Sequence, residues 1–287
     1  MRTKIFTDTT CDLSPERRAA HDITALPLHV FLGETDYLDG VDVTPQQLFD
    51  YALQNKQLPK TAAVGEYDFE NAFREALDNG YDELVYTGLS SKLSSTYQNA
   101  CLARDSLIEK GYDAKRFHLV DSLQLSSGTA HLLLRAAGIV ENGGTAQQAE
   151  DDMRATLPRL STHFIVDTLQ YLHMGGRCSS IAFLAGSMLK LHPQINMIDG
   201  AMIAGEKFRG KLDRCIAQYE KKTVFDILDQ IEPERIFLTL PDEPVEALAE
   251  EIRKLGYFKE VLCERAGATI ASHCGPGTIG FLTIHKA

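Results

Sequence analysis

The sequence predicts an α/β protein with two α/β domains. The first is expected to carry a largely parallel sheet with flanking helices, the second a mixed sheet with helices. Three observations predict this. Short apolar runs alternate with helix-length segments through the first half, which is the pattern of βαβ units. After Pro158 the pattern changes, and a hairpin signal stands at Asp199-Gly200. The length, 287 residues, suits two domains. The boundary is expected near residue 160, giving segments 1–160 and 161–287.

The elements are read in order. Lys4 to Thr7 is a strand ending at Asp8, and Ser14-Pro15-Glu16 starts a helix with Ser14 as cap and Pro15 at its first position. Ala25 to Leu32 is an apolar run turned by Gly33-Glu34-Thr35. Thr44-Pro45-Gln46-Gln47 is a capping box. Gly65 to Asn79 reads as a helix closed by Gly80, and Glu83 to Thr87 as a strand. Thr96 to Lys110 is a helix, Phe117 to Val120 a strand and Ser126 to Glu141 a helix. Thr145 to Leu157 is a further helix. Beyond Pro158, Thr162 to Val166 reads as a strand, Ser180 to Leu191 as an apolar helix and Gln194 to Ile198 as a strand. Asp199-Gly200 turns into a strand over Ala201 to Ala204. A long polar helix over Lys211 to Ile231, strand Arg235 to Leu240, helix Pro244 to Leu255 and strand Glu260 to Cys263 follow. Thr278 to Ile284 is the last strand.

Composition removes several functions. The formal net charge of -11 argues against nucleic acid and anionic membrane surfaces. MRTKIFTDTT lacks the apolar core of a signal peptide, and Ile181 to Leu191 is too short to span a bilayer. The six cysteines form no C-x-x-C pair, and no histidine pair has zinc-like spacing. The expectation is a cytoplasmic protein with reduced thiols and no metal.

The strand-to-loop junctions carry the chemistry, because ligands of parallel α/β sheets bind beyond the strands' carboxyl ends. DTTCD follows the first strand, PKTAA precedes a helix, TGLSSKLSST joins a strand to a helix, and Asp121-Ser122 follows another strand. They offer hydroxyls and helix N-terminal N–H groups but few bases, which suits holding a carboxylate or phosphate. The structural alternative is that Ser94, Ser95, Thr96 and Thr61 only cap and turn. Near the end, SHCGPGTIG contains the spacing of a dinucleotide loop. Pro276 and the strand-like TIGFLTI that follows do not fit that motif, which needs a helix and a later acid. What remains is a turn with free N–H groups, Thr278 and His273. GLSSK approaches a nucleophile elbow but has Lys92 for the second glycine, and GEKFRGKL approaches a phosphate loop but has Leu212 for the magnesium-binding hydroxyl. In YLHMGGRCS, Arg177 is either a partner for an anionic ligand or protein, or a surface arginine on a turn.

As a set, DTTCDL at 8–13, SSKLSSTYQNA at 90–100, VDS at 120–122, YLHMGGRCSS at 171–180 and HCGPGTIG at 273–280 resemble the DegV family, over essentially the whole chain. The resemblance implies two α/β domains with a long-chain fatty acid between them. It implies the binding subunit of a fatty-acid kinase, with no catalytic residues and no cofactor of its own. A separate subunit, holding ATP and magnesium, would phosphorylate the acyl carboxylate. By motif position, Thr61, Ser94 with its neighbour Ser95, His273 and Thr278 would hold that carboxylate. Arg177 would dock the kinase subunit, and the acyl tail would enter the second domain. The sequence departs from the family pattern at Ser95 (usually Gly), at Ala62-Ala63-Val64 (usually Ser-Gln-Pro) and at His173-Met174 (usually a basic pair). Two other readings stand beside this one: a stand-alone serine-based acyl hydrolase or transferase, and a fatty-acid carrier or sensor without a kinase partner.

Overall fold

A computed structural model of the chain describes residues 1–178, 191–241 and 246–287. Counts below are among the described residues. Strand β1 (Thr3–Asp8) leads through a short 3-10 turn to helix α1 (Pro15–Ala20), whose cap Ser14 accepts from the Arg17 N–H. The apolar run 25–32 is not one element. Pro27 lacks an N–H and divides it into β2 (Ile23–Leu26) and β3 (His29–Leu32), and β3 forms a hairpin with β4 (Thr35–Leu38). Helix α2 (Pro45–Asn55) starts at the expected capping box, with Thr44 and Gln47 bonding reciprocally. Then come β5 (Lys60–Ala62), α3 (Glu66–Asp78), β6 (Glu83–Gly88), α4 (Thr96–Glu109), β7 (Phe117–Asp121), α5 (Ser127–Glu141) and α6 (Ala146–Thr156). Strands β8 (Leu160–Ser161) and β9 (His163–Ile165) are followed by α7 (Gln170–Gly175).

The helix expected over 180–191 lies outside the described residues except for Leu191, which instead opens β10 (Leu191–Ile198). β10 turns at Asp199-Gly200 into β11 (Ala201–Arg209), longer than the expected 201–204. The phosphate-loop lookalike thus lies mostly in a strand. The long helix expected over 211–231 is shorter. It forms α8 (Leu212–Thr223), breaks at Val224 (φ -125, ψ -64) and continues as 3-10 turns. The β-branched pair Thr223-Val224 is a weak helix former at that break. β12 (Arg235–Leu240), α9 (Glu246–Lys254), β13 (Glu260–Arg265), α10 (Ala268–Cys274) and β14 (Ile279–Ile284) complete the chain. Pro244, expected in the helix before β13, lies outside the described residues. α10 is an element the sequence reading lacked.

The strands form a parallel sheet ordered β2-β1-β6-β7, a small antiparallel sheet β4-β3-β5, and a mixed sheet β11-β10-β9-β14-β12-β13, with β8 beside β14. In the mixed sheet only β12 and β13 run parallel among the described pairs. One face of the parallel sheet packs Phe6, Leu84 and Tyr86 against Phe69, Phe73, Ala100 and Leu107 of α3 and α4. Its other face packs Ile5, Val85 and Val120 against α5 and α6, and the same cluster takes in Phe237 and Leu282 of the mixed sheet. α5 therefore lies between the two larger sheets, which is why its residues 127–134 are all buried. The far face of the mixed sheet packs Ile236, Leu238 and Phe281 against α8 and α9.

Two imidazoles belong to this interior. His131 on α5 bonds the Leu282 carbonyl through Nε2 at 2.9 Å and lies edge-on to Phe237. His163 bonds Tyr219 through Nδ1 at 2.6 Å. Burial pushes the pKa of His131 down to about 3 and that of His163 to about 4, from an ordinary 6.5. The unfolded chain therefore takes up protons that the folded one refuses. Their contribution to stability is complete above pH 6.5 and is lost as pH falls toward 4 and 3, with a slope of about 1.4 kcal/mol per pH unit for each. Asp8 and Asp12, raised chiefly by desolvation, act in the opposite sense, since burial favours their protonated forms. A His131→Gln variant isolates one histidine. Denaturant titrations from pH 6 to pH 5 should lose about one proton of slope relative to the parent; an unchanged slope would refute the neutral, buried assignment.

Candidate functional site

Four segments far apart in sequence meet at one narrow cavity. β5 brings Thr61 and Ala62, and the turn before α4 brings Leu93 and Ser94. The end of α7 brings Arg177, and α10 brings Ile270, His273 and Cys274. Leu28, Leu89, Leu125 and Met202 complete an apolar wall.

His273 stands in the last turn of α10 and bonds Thr61 Oγ1 through Nε2 at 2.9 Å. Its Nδ1 is buried with no hydrogen-bond partner and faces the backbone of Gly175. A buried N–H without an acceptor is the costlier arrangement, so the network assigns the proton to Nε2, with Thr61 as acceptor. The Thr61 hydroxyl proton is then free to point into the cavity. Burial, and secondarily the Arg177 charge, push the imidazole's pKa down to about 4. His273 is therefore neutral at pH 7 and orients a hydroxyl rather than supplying charge. The cation in the cavity lining is Arg177, an exposed side chain whose Nη1 donates to the Gly175 carbonyl at 2.7 Å.

Ser94 repeats this logic. Its Oγ accepts the Thr96 N–H at 3.3 Å and lies 2.9 Å from Thr96 Oγ1. Thr96 is fully buried. With Thr96 donating, the Ser94 proton is also free for the cavity. Two hydroxyls, each backed by a second polar group, can thus donate to one anion. The structure brings together Thr61, Ser94, His273 and Arg177 in one lining. It does not bring Ser95 or Thr278 into that lining. Ser95 is the exposed N-cap residue of α4 and makes no side-chain cap bond. Thr278 Oγ1 donates to the Cys274 carbonyl at 2.9 Å and lines a second cavity.

That second cavity is walled by Phe164, Leu240, Pro241, Ala266, Ala271 and Leu282 among others. It shares Leu125, Ile270 and Cys274 with the first, so those three side chains form the partition between the two. Among the described residues no serine hydroxyl is hydrogen-bonded to a histidine, and the elbow-like Ser90 bonds a backbone carbonyl instead. No group of three His, Cys, Asp or Glu among the described residues could hold a metal ion, and no described helix is long and apolar enough to cross a membrane.

Three participants escaped the sequence reading. Thr96 backs Ser94, which the repeated hydroxyls hinted at without distinguishing donor from support. Gly175 makes room for the His273 ring. Asp39 accepts the Ala268 and Thr269 N–H groups at 2.7 and 3.2 Å, so a carboxylate from the other half of the chain caps the helix that carries His273. The family pattern marks the glycine; nothing local marks Asp39.

Comparison with known proteins places the chain in a family and agrees with its fold. Residues 2–286 match the family model described as "Uncharacterised protein, DegV family". A DegV domain-containing protein of Streptococcus pyogenes is 32% identical over 295 residues, covering 99% of this chain and 98% of its own. Another, from Clostridium perfringens, is 30% identical over 280 residues, covering 96% and 95%. Among solved structures, a DegV family protein from Thermus thermophilus described for its fatty-acid binding superposes with TM-score 0.88 at 29% identity, over 100% of both chains. A stearic acid-binding protein from Eubacterium ventriosum gives TM-score 0.83 at 28% identity, over 100% of this chain and 99% of its own.

The Gly175 contact is testable. A methyl there would stand 2.5 Å from His273 Nδ1, and the ring would have to move off Thr61. Gly175→Ala should cost about 1–3 kcal/mol of stability and shift the His273 ring resonances in an NMR spectrum. Unperturbed His273 resonances would show that the glycine does not set the ring position.

Proposed function

Because the chain belongs to the DegV family, we propose that it binds a long-chain fatty acid and presents the carboxylate to a separate ATP-dependent kinase subunit, which forms the acyl phosphate. The observation that carries the reading is the cavity itself, with donor hydroxyls and a guanidinium among its lining groups and otherwise apolar walls. A carboxylate head takes the free protons of Thr61 and Ser94, with Arg177 close enough to offset its charge. Ser95 and Thr278, which share the family motifs, act by shaping the turn before α4 and the turn after α10. The tail follows Leu125, Ile270 and Cys274 toward the second cavity, and gains about 0.8 kcal/mol for each buried CH₂. Residues 1–160 supply most of the head-group loops, and 161–287 house the tail. Arg177, exposed beside the head group, also serves the docking kinase, and ATP and magnesium belong to that subunit. The chain catalyses nothing alone and works in the cytoplasm.

The fit to two relatives described as fatty-acid binders supports the ligand class. Among the described residues no serine hydroxyl pairs with a histidine, which weighs against the hydrolase reading. Native mass spectrometry of the purified protein, with lipid extraction, should find one fatty acid per chain. A protein that stays empty after incubation with mixed fatty acids would overturn the reading. Ser94→Ala with His273→Ala should weaken fatty-acid affinity by about 100-fold, the loss expected from deleting the Ser94 hydrogen bond to a charged group and releasing Thr61 from the imidazole that aims it; wild-type affinity in that variant would remove the carboxylate site from Ser94 and His273. Arg177→Ala should retain the fatty acid while losing acyl-phosphate formation in the presence of a kinase subunit, and full turnover there would remove the docking role.

A further inference from the structure

Ser90 is the serine of the elbow-like GLSSK, and the carboxylate site does not use it. It is completely buried. Its backbone organises the turn that presents Ser94: the Ser90 carbonyl accepts the Leu93 N–H at 2.9 Å and the Ser94 N–H at 3.2 Å, while its own N–H donates to the Gln124 carbonyl at 2.8 Å. Its hydroxyl accepts the Lys92 N–H at 3.2 Å and donates to the Gly200 carbonyl at 2.7 Å. Residues 88–91 are otherwise anchored to Asp8, Asp121, Ser122 and Gln124, all in the same half of the chain. The bond to Gly200 reaches across to the tip of the β10–β11 hairpin.

That tip is fitted closely to the turn. Asp199 and Gly200 have φ of 48° and 84°, the two-residue geometry that matches the twist of the flanking strands. A methyl on Gly200 would stand 2.8 Å from Ser90 Oγ, 2.9 Å from Leu123 Cδ2 and 3.0 Å from Lys92 Cγ. Two residues further along β11, Met202 lines the head-group cavity, and its carbonyl accepts from Cys178 Sγ at 3.3 Å. The hairpin therefore carries both a contact to the turn and a piece of the cavity wall. Displacing Gly200 would displace Met202 with it, because β11 begins at Ala201, directly after Gly200.

We propose that Ser90 is a positioning residue that clasps the β10–β11 hairpin tip through Gly200, so that the turn presenting Ser94 and the Met202 wall close the site as one unit and set how slowly a bound fatty acid leaves. The proposal rests on the fatty-acid reading for its ligand, but the clasp is independent of it. Ser90→Ala removes the hydroxyl donor and leaves the Gly200 carbonyl unpaired. Gly200→Ala keeps the hydroxyl and pushes the tip away.

The test measures dissociation of cis-parinaric acid by stopped-flow fluorescence in the parent, in Ser90→Ala, in Gly200→Ala and in Ile252→Val. The last is a control in the cluster under α9, which includes Phe208 at the far end of β11 but no residue of the hairpin tip. Both clasp variants should release the probe about fivefold faster or more, with association rates near the parent's and the control unchanged. A release rate within twofold of the parent in Ser90→Ala would overturn the clasp, as would equal acceleration in the control. Hydrogen exchange on the ligand-free proteins supplies a second readout. The amides of residues 91–95 and 200–202 should exchange faster together in Ser90→Ala, and unchanged protection there overturns the clasp whatever the ligand proves to be. A parent that binds no fatty acid while Ser90→Ala loses that protection would overturn the ligand reading and keep the clasp.

Discussion

The structure depends on a carboxylate that caps a helix from across the molecule. α10 has seven residues and starts at Gly267, which has no side chain with which to cap it. A helix so short is not stable alone, because the first turn costs more order than its hydrogen bonds return. Asp39 takes two of its free N–H groups, and Asp12 takes that of Gly267 at 2.8 Å. The Asp12 carboxylate is itself held by the Ser126 hydroxyl at 2.5 Å. The Asp39 carboxylate lies where the helix dipole favours a negative charge. The helix so fixed delivers His273 to Thr61, Ile270 to the partition and Cys274 to both cavities.

From that fixed helix the site is built by arranging protons rather than charges. The imidazole is neutral, the two facing hydroxyls have their acceptor sides occupied, and Arg177 stands at the edge in contact with solvent. An anion entering this site meets donors already aimed, so little reorganisation is required of the protein. The acidic surface, with its net charge of -11, does not attract such a ligand at long range. Apolar burial has to supply most of the binding energy, and the walls shared by the two cavities are where that burial is available.

Much of this was legible in the sequence where a local rule decides the outcome. The capping box at Thr44-Gln47, the Ser14-Pro15 start, the Asp199-Gly200 turn and the parallel strands of the first half all follow from neighbours within a few residues. The family motifs brought Thr61, Ser94, His273 and Arg177 to attention, and the fold does gather them in one lining. What failed was decided at a distance. α10, ATIASHC, has no apolar stripe of helical period, since its small residues pack tightly and its cap is borrowed from residue 39. The run 25–32 looked continuous because apolar character masks a change of sheet at Pro27. The helix after Lys211 looked longer than it is because its polar face continues past the break at Val224. Ser95 and Thr278 belong to the right motifs, but their side chains are turned elsewhere by a helix start and by the Cys274 carbonyl.

The long sequence separation of these anchors also orders events in time. Asp12 reaches Gly267, Asp39 reaches Ala268, and Ser14 reaches Glu264, contacts 255, 229 and 250 residues apart. Closing loops of that size is slow, and none of the three contacts can exist before the last part of the chain is available. During synthesis Asp12 and Asp39 must therefore wait, solvated, for a helix that follows them by 255 and 229 residues. A chain truncated before α10 would keep the parallel sheet but lose His273 and also β14, the strand that joins β9 to β12 in the mixed sheet.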